Sequence, residues 1–171
     1  MGEEEPSVNI SGGDSGGGES TTFAAGEPDT RAEAVVDRLG DRYWEKSYGG
    51  RDAFECLVRT ILSQNTSDKA SQPAHDALLA EYGGDDLVAA LEEADQQRLA
   101  ETISSAGLYN QKSERIVRIA GEIREEYGSE AAFDRFVRES DPGTVRDALL
   151  EYGGVGPKTA DCVLLFAGGR G

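Results

Sequence analysis

The stretch Leu149 to Leu164, LLEYGGVGPKTADCVL, carries helix signals on both sides of a four-residue turn, Gly153-Gly154-Val155-Gly156. Asp141-Pro142 opens the first helix, an N-cap acid followed by proline at the first helical position. Pro157 opens the second in the same way. A helix–glycine turn–helix unit leaves several backbone N–H groups unpaired and clustered, with Val155 free to plug into a core. Such a cluster is a phosphate cradle. Lys158 falls in the first turn of the second helix. The positive end of a helix disfavours an ammonium there and favours the neutral, nucleophilic amine. An amine beside a phosphate site is the equipment for attack on a sugar carbon. A surface lysine that only touches phosphate fits the same segment.

Two further stretches, in the same order, bear on that choice. They are Ile61-Leu62-Ser63-Gln64-Asn65-Thr66-Ser67-Asp68 and Ala106-Gly107-Leu108-Tyr109-Asn110-Gln111-Lys112. With GGVGPKTA they resemble the DNA glycosylases of the endonuclease III family over about residues 30–171. The SQNTSD-type run at 63–68 is similar to that of archaeal members.

The resemblance implies an all-α, two-lobed helix-hairpin-helix glycosylase fold, with the hairpin at about 149–164 and DNA in the cleft between the lobes. Lys158 matches the Schiff-base lysine of members that both release a damaged base and cleave the strand. Gln64, at the end of an apolar helix, matches a glutamine that fills the gap left by an extruded base; a helix C-cap glutamine is the plainer role. Leu108 would be the apolar wedge from the other side, or a hydrophobic staple for the helix after it. Gly154 and Gly156 would offer N–H groups to a phosphate, and Thr159 belongs to the same DNA-contacting set. Carbonyls of Leu150, Tyr152 and Val155 match positions that hold a monovalent cation, K+ or Na+, in relatives. The family usually has proline where this chain has Gly153, a change expected to loosen the turn.

In the family, the catalytic aspartate follows the hairpin in a VDTH-like run, and four cysteines holding a [4Fe–4S] cluster lie further on. The sequence reaches Gly171 without either. A C-terminally incomplete domain is therefore expected, with no cofactor in this chain and a cluster only in a longer protein. Base removal should be impaired, while the lysine could still cleave a pre-existing abasic site. A helix-hairpin-helix fragment that binds DNA without chemistry is the alternative.

The 171 residues suit one domain, residues 29–171, after a Gly-, Ser- and Glu-rich segment, 1–28, that reads as a disordered tail. Apolar positions recur at helical spacing. Helices are expected over 30–39, ended by Gly40, and over 53–64. Another spans 67–82, either kinked at Pro73 or starting near it, and further ones follow over 86–93, 95–104, 110–127, 144–151 and 157–167. Tyr43, Trp44 and Tyr48 read as aromatic core, and His75 as a surface residue without a role. Asp161, three residues past Lys158, is placed to tune it or to join a surface charge pattern. Cys56 and Cys162 read as buried thiols rather than a disulfide or metal site. No run of 18 apolar residues spans a membrane, and no secretory signal opens the chain, so a cytoplasmic protein is expected; the resemblance implies a monomer acting on double-stranded DNA with a damaged base or abasic site.

The net charge of −16 opposes DNA binding, where phosphate contacts supply much of the affinity. Residues 1–30 hold seven acids and no base, which leaves −9 for the remainder. Arg outnumbers Lys thirteen to four. This acidic, lysine-poor surface resembles proteins of salt-loving archaea, where molar salt screens repulsion within about 3 Å. The chain is then expected to lose helicity by circular dichroism when salt is dialysed away; full helicity at low salt would remove that explanation.

Overall fold

The computed structural model describes residues 19–20, 27–43, 47–48 and 52–169. Nine α-helices follow one another among them: α1 (Arg31–Tyr43), α2 (Ala53–Ser63), α3 (Asp68–Tyr82), α4 (Leu87–Glu92), α5 (Gln96–Thr102), α6 (Tyr109–Tyr127), α7 (Glu130–Glu139), α8 (Pro142–Glu151) and α9 (Pro157–Phe166). A 3₁₀ turn, Ser104–Ala106, precedes α6. Glu19–Ser20 pairs antiparallel with Ser47–Tyr48, too short a ladder to change the all-α class. The aromatic cluster expected at Tyr43, Trp44 and Tyr48 lies outside the described side chains, as does most of the 1–28 segment.

The acidic caps behave as their positions require. Asp86, Asp95 and Asp141 accept from the N–H groups of Ala89, Arg98 and Thr144 at 2.9, 2.8 and 3.0 Å. Each such cap contributes about 1 kcal/mol to helix stability. Ser129 caps α7 in the same way through the Ala132 N–H at 3.2 Å.

α2 is the centre of the core. Ala53, Phe54, Leu57, Val58, Ile61 and Leu62 are buried, and α9, α3 and α7 pack around them. α6 turns Ile116, Ile119, Ala120 and Ile123 inward and packs on α4, α5 and α7. Tyr127 meets Phe133 edge to face at 5.2 Å, an arrangement aromatic pairs favour. The hairpin helices α8 and α9 are thus held on one side of α2, and the N-terminus of α6 on another.

Several sequence expectations change. α1 continues through Gly40, because one glycine costs a helix only about 1 kcal/mol. α3 starts at Asp68 and runs on past Pro73, so the earlier of the two starts is adopted. α7 had no counterpart among the expected helices. His75 is not a surface residue: it is 4% exposed, with Nε2 3.4 Å from a Glu55 carboxylate oxygen and Nδ1 3.4 Å from Arg59. Among the described residues, no helix is long and apolar enough to cross a membrane.

Candidate nucleic-acid interface

The hairpin turn is built around Val155, buried as expected, whose N–H donates to the Tyr152 carbonyl at 2.9 Å. Gly154 takes φ +90°, the left-handed region that glycine enters freely. The N–H groups of Gly153, Gly154, Gly156, Lys158 and Thr159 make no hydrogen bond among the described residues. The next, Ala160, donates to the Gly156 carbonyl at 3.0 Å and begins the helical ladder. Five unbonded donors therefore cluster about the N-terminus of α9, an arrangement that we call the cradle.

Lys158 is exposed beside these donors and carries no hydrogen bond or ion pair among the described residues. Asp161 does not serve it. Its carboxylate accepts from Arg146 Nε at 2.8 Å and ties α9 to α8 instead. Cys162, one turn beyond Lys158, has its thiol pushed up by burial, a shift that the nearby Lys158 charge opposes.

The turn after α2 meets the hairpin through one side chain. Gln64 Nε2 donates to the Gly154 carbonyl and to Thr159 Oγ1, both at 3.2 Å. Gln64 Oε1 accepts from Arg115 Nη1 at 2.6 Å. The amide therefore lies across the turn onto the hairpin, and entering a duplex would cost it three bonds. Thr159 is buried at 5% exposure, so its hydroxyl braces Gln64 and only its backbone N–H faces the cradle.

Two arginines of α6 also hold this turn, and the sequence pattern had not marked them. Arg118 Nη2 donates to the Gly153 carbonyl at 2.7 Å, and a Cβ at Gly153 would lie 2.6 Å from that same nitrogen. The space opened by glycine at this position is thus filled by a guanidinium that restrains the turn. The Arg115 guanidinium lies against Gly154, where an added Cβ would overlap Nε and Cζ and come within 2.7 Å of Cδ. Such long-range partners leave no periodic signal; the available clue was a pair of arginines three residues apart on a helix.

Leu108 projects from the second turn. Gly107 and Leu108 both take positive φ, +64° and +48°, and the leucine is 52% exposed. A left-handed leucine carries backbone strain. Asn65, next to Gln64, is the other non-glycine residue with positive φ among the described residues. Lys112, in the first turn of α6, is 2% exposed and bonds to both turns.

Residues 58–153 match a family described as the HhH-GPD superfamily base excision DNA repair protein. This chain belongs to that superfamily. Its curated relatives include a DNA repair glycosylase of Methanocaldococcus jannaschii, 33% identical over 135 residues, covering 78% of this chain and 57% of the relative. Endonuclease III of Thermotoga maritima is 34% identical over 113 residues, covering 66% of this chain and 46% of that protein. The crystal structure of the H. pylori 3-methyladenine DNA glycosylase bound to 1,N6-ethenoadenine superposes with a TM-score of 0.62 at 26% identity, covering 82% of this chain and 63% of that one. The chain is thus an endonuclease III-like HhH-GPD protein with the all-α fold of that superfamily. It spans about half the length of the curated relatives it matches.

A [4Fe–4S] cluster takes four thiolates. The chain's two cysteines, Cys56 in the buried face of α2 and half-buried Cys162 in α9, do not fit one.

Proposed function

We propose that this HhH-GPD chain recognises damaged duplex DNA, with oxidised pyrimidines and abasic sites as substrates, and that Lys158 is its Schiff-base nucleophile in base-excision repair. The observation that carries this reading is the junction at Gln64: one side chain touches Gly154 and Thr159, so the cradle, the free lysine and the Gln64 turn share one surface. Gly154, Gly156 and the Lys158–Thr159 backbone would bind a phosphate. Arg115 supplies local positive charge there that the net charge of −16 conceals, while Arg118 is paired with Glu122 at 3.6 Å. Leu108 would unstack the step beside the lesion.

At an abasic site the Lys158 amine adds to the C1′ aldehyde, and the adduct takes up one proton from solvent and loses water to give an iminium. Removal of a C2′ proton by solvent base then expels the 3′ phosphate by cleavage of the C3′–O bond, which nicks the strand. With a damaged base still attached, the amine displaces it at C1′ and the departing base takes up a proton.

The carbonyls of Leu150 and Val155 receive no hydrogen bond from the turn, and that of Tyr152 receives one, so all three retain lone pairs for K+ or Na+. Oxygen ligands suit such hard cations, and a cation there would stiffen the cradle. We place the protein in the cytoplasm as a monomer on double-stranded DNA.

Borohydride trapping on a duplex with one abasic site tests the chemistry. A covalent complex is expected, because reduction of the iminium leaves a stable amine. A folded preparation that binds the duplex and yields no complex would leave a DNA-binding module without lyase chemistry.

A further inference from the structure

Lys112 Nζ sits where three helix ends converge. It donates to the Leu62 carbonyl at 2.7 Å, to Thr66 Oγ1 at 2.9 Å and to the Ala106 carbonyl at 2.8 Å. Leu62 lies at the C-terminal end of α2 and Ala106 at that of the 3₁₀ turn, where carbonyls lack helical partners. The Thr66 hydroxyl also bonds to the Ala106 carbonyl. Among the described residues, no backbone hydrogen bond crosses between residues 62–67 and 104–108. The polar ties between the two turns are those made by Lys112 and Thr66.

We propose that Lys112 is a positioning residue that locks the Gln64 turn and the Leu108 turn into one rigid two-pronged element. The proposal rests on the DNA-recognition reading above and adds the part that sets the spacing of the prongs. Its geometry is symmetric about the ammonium. The bonded carbonyl of Leu62 lies two residues before Gln64, and that of Ala106 two residues before Leu108. Three acceptors within 2.7–2.9 Å suit an ammonium with three donors. A planar amide has two donors, and a guanidinium is a flat fork.

The placement is costly. Burial pushes the ammonium below its ordinary range, and neighbouring Arg115 adds to that effect. The first turn of α6 is a further unfavourable place for a cation. No carboxylate pairs with Nζ among the described residues. What the site gains is a fixed relation between Asn65 and Leu108, both held at positive φ. Two prongs that each tumbled freely would meet a lesion independently and lose the advantage of preorganisation.

The test measures binding of the full chain, at one salt concentration, to an intact duplex and to the same duplex with one abasic site. A 2-aminopurine beside the abasic site reports unstacking. In Lys112→Met, which keeps the volume and removes the donors, binding to intact duplex should stay within about twofold, because phosphate contacts dominate it. Preference for the abasic duplex should fall about tenfold, equivalent to about 1.4 kcal/mol, and the 2-aminopurine signal should fall with it. Thr66→Val removes the bridging hydroxyl and should lose preference in the same direction by less. Combined with Lys112→Met it should add little, since both act through one contact.

A purely structural lysine would lower the melting temperature and leave the ratio between the two duplexes unchanged. Retention of the full preference in folded Lys112→Met would therefore overturn the proposal. If that variant does not fold, full preference in Thr66→Val would overturn it instead. An unmutated chain without any preference would overturn the DNA-recognition reading itself, and the role of Lys112 with it.

Discussion

Lys158→Ala is expected to abolish borohydride trapping and to lower abasic-site nicking at least about 10³-fold, as loss of a covalent nucleophile does elsewhere. Duplex binding should weaken by less than about tenfold, the order expected for one lost phosphate contact at ordinary salt. The separation of these effects is what the geometry requires. Lys158 is exposed and unbonded, so its removal leaves no buried partner unsatisfied and no cavity. The cradle donors at Gly154, Gly156 and Thr159 are backbone groups and survive the substitution. Lys158→Arg sharpens the comparison, because a guanidinium keeps the charge and cannot form the imine. It should bind like the unmutated chain and trap nothing. Persistent nicking in purified Lys158→Ala would defeat the assignment of the nucleophile, and equal losses of binding and nicking would assign Lys158 to phosphate contact alone.

What could be read from the chain beforehand was local. Asp86, Asp95 and Asp141 announce helix starts because a cap bonds to a group three residues away, and the structure forms each of those bonds. The hairpin was equally legible: Pro157 and the glycines set the backbone, and Val155 is the apolar residue between them. Even α7 had its signal, a Ser129 cap followed by Phe133, Phe136 and Val137 at helical spacing. Other features depend on partners far along the chain. His75 looked superficial because its own helix is polar, whereas its burial comes from Glu55 and Arg59 on α2. Lys112 lies inside the 106–112 stretch with no role that local pattern could assign, since its oxygen partners lie up to 50 residues away. Separations of 35 to 95 residues likewise hid Arg115, Arg118 and the docked position of Gln64. Sequence thus marks the backbone donors of the hairpin turn and Lys158, and the fold shows which side chains hold that turn in place.

Gly154→Ala should disable this interface while the fold persists. The residue sits at φ +90°, where a Cβ brings strain of about 1–3 kcal/mol. That Cβ would also overlap the Arg115 guanidinium, so Arg115 must swing away and release Gln64 Oε1. Domains of ordinary stability, about 5–15 kcal/mol, survive such a loss. The melting temperature should fall by about 3–10 °C, and duplex binding should weaken by about 10²-fold as the Gly154 and Gly156 donors leave register. Gly156→Ala is the matched control. Its φ is −100°, which any residue adopts, and a Cβ there meets nothing within 4 Å. It should melt within about 1 °C of the unmutated chain, as a substitution without clash or strain does. Equal thermal losses at the two glycines would refute the claim that Arg115 packs on the turn. Adding Arg115→Ala to Gly154→Ala separates clash from strain. Removing the guanidinium relieves the overlap and leaves the positive φ, so thermal stability should recover in part, while Gln64, without its arginine, should remain poorly held and binding should stay weak.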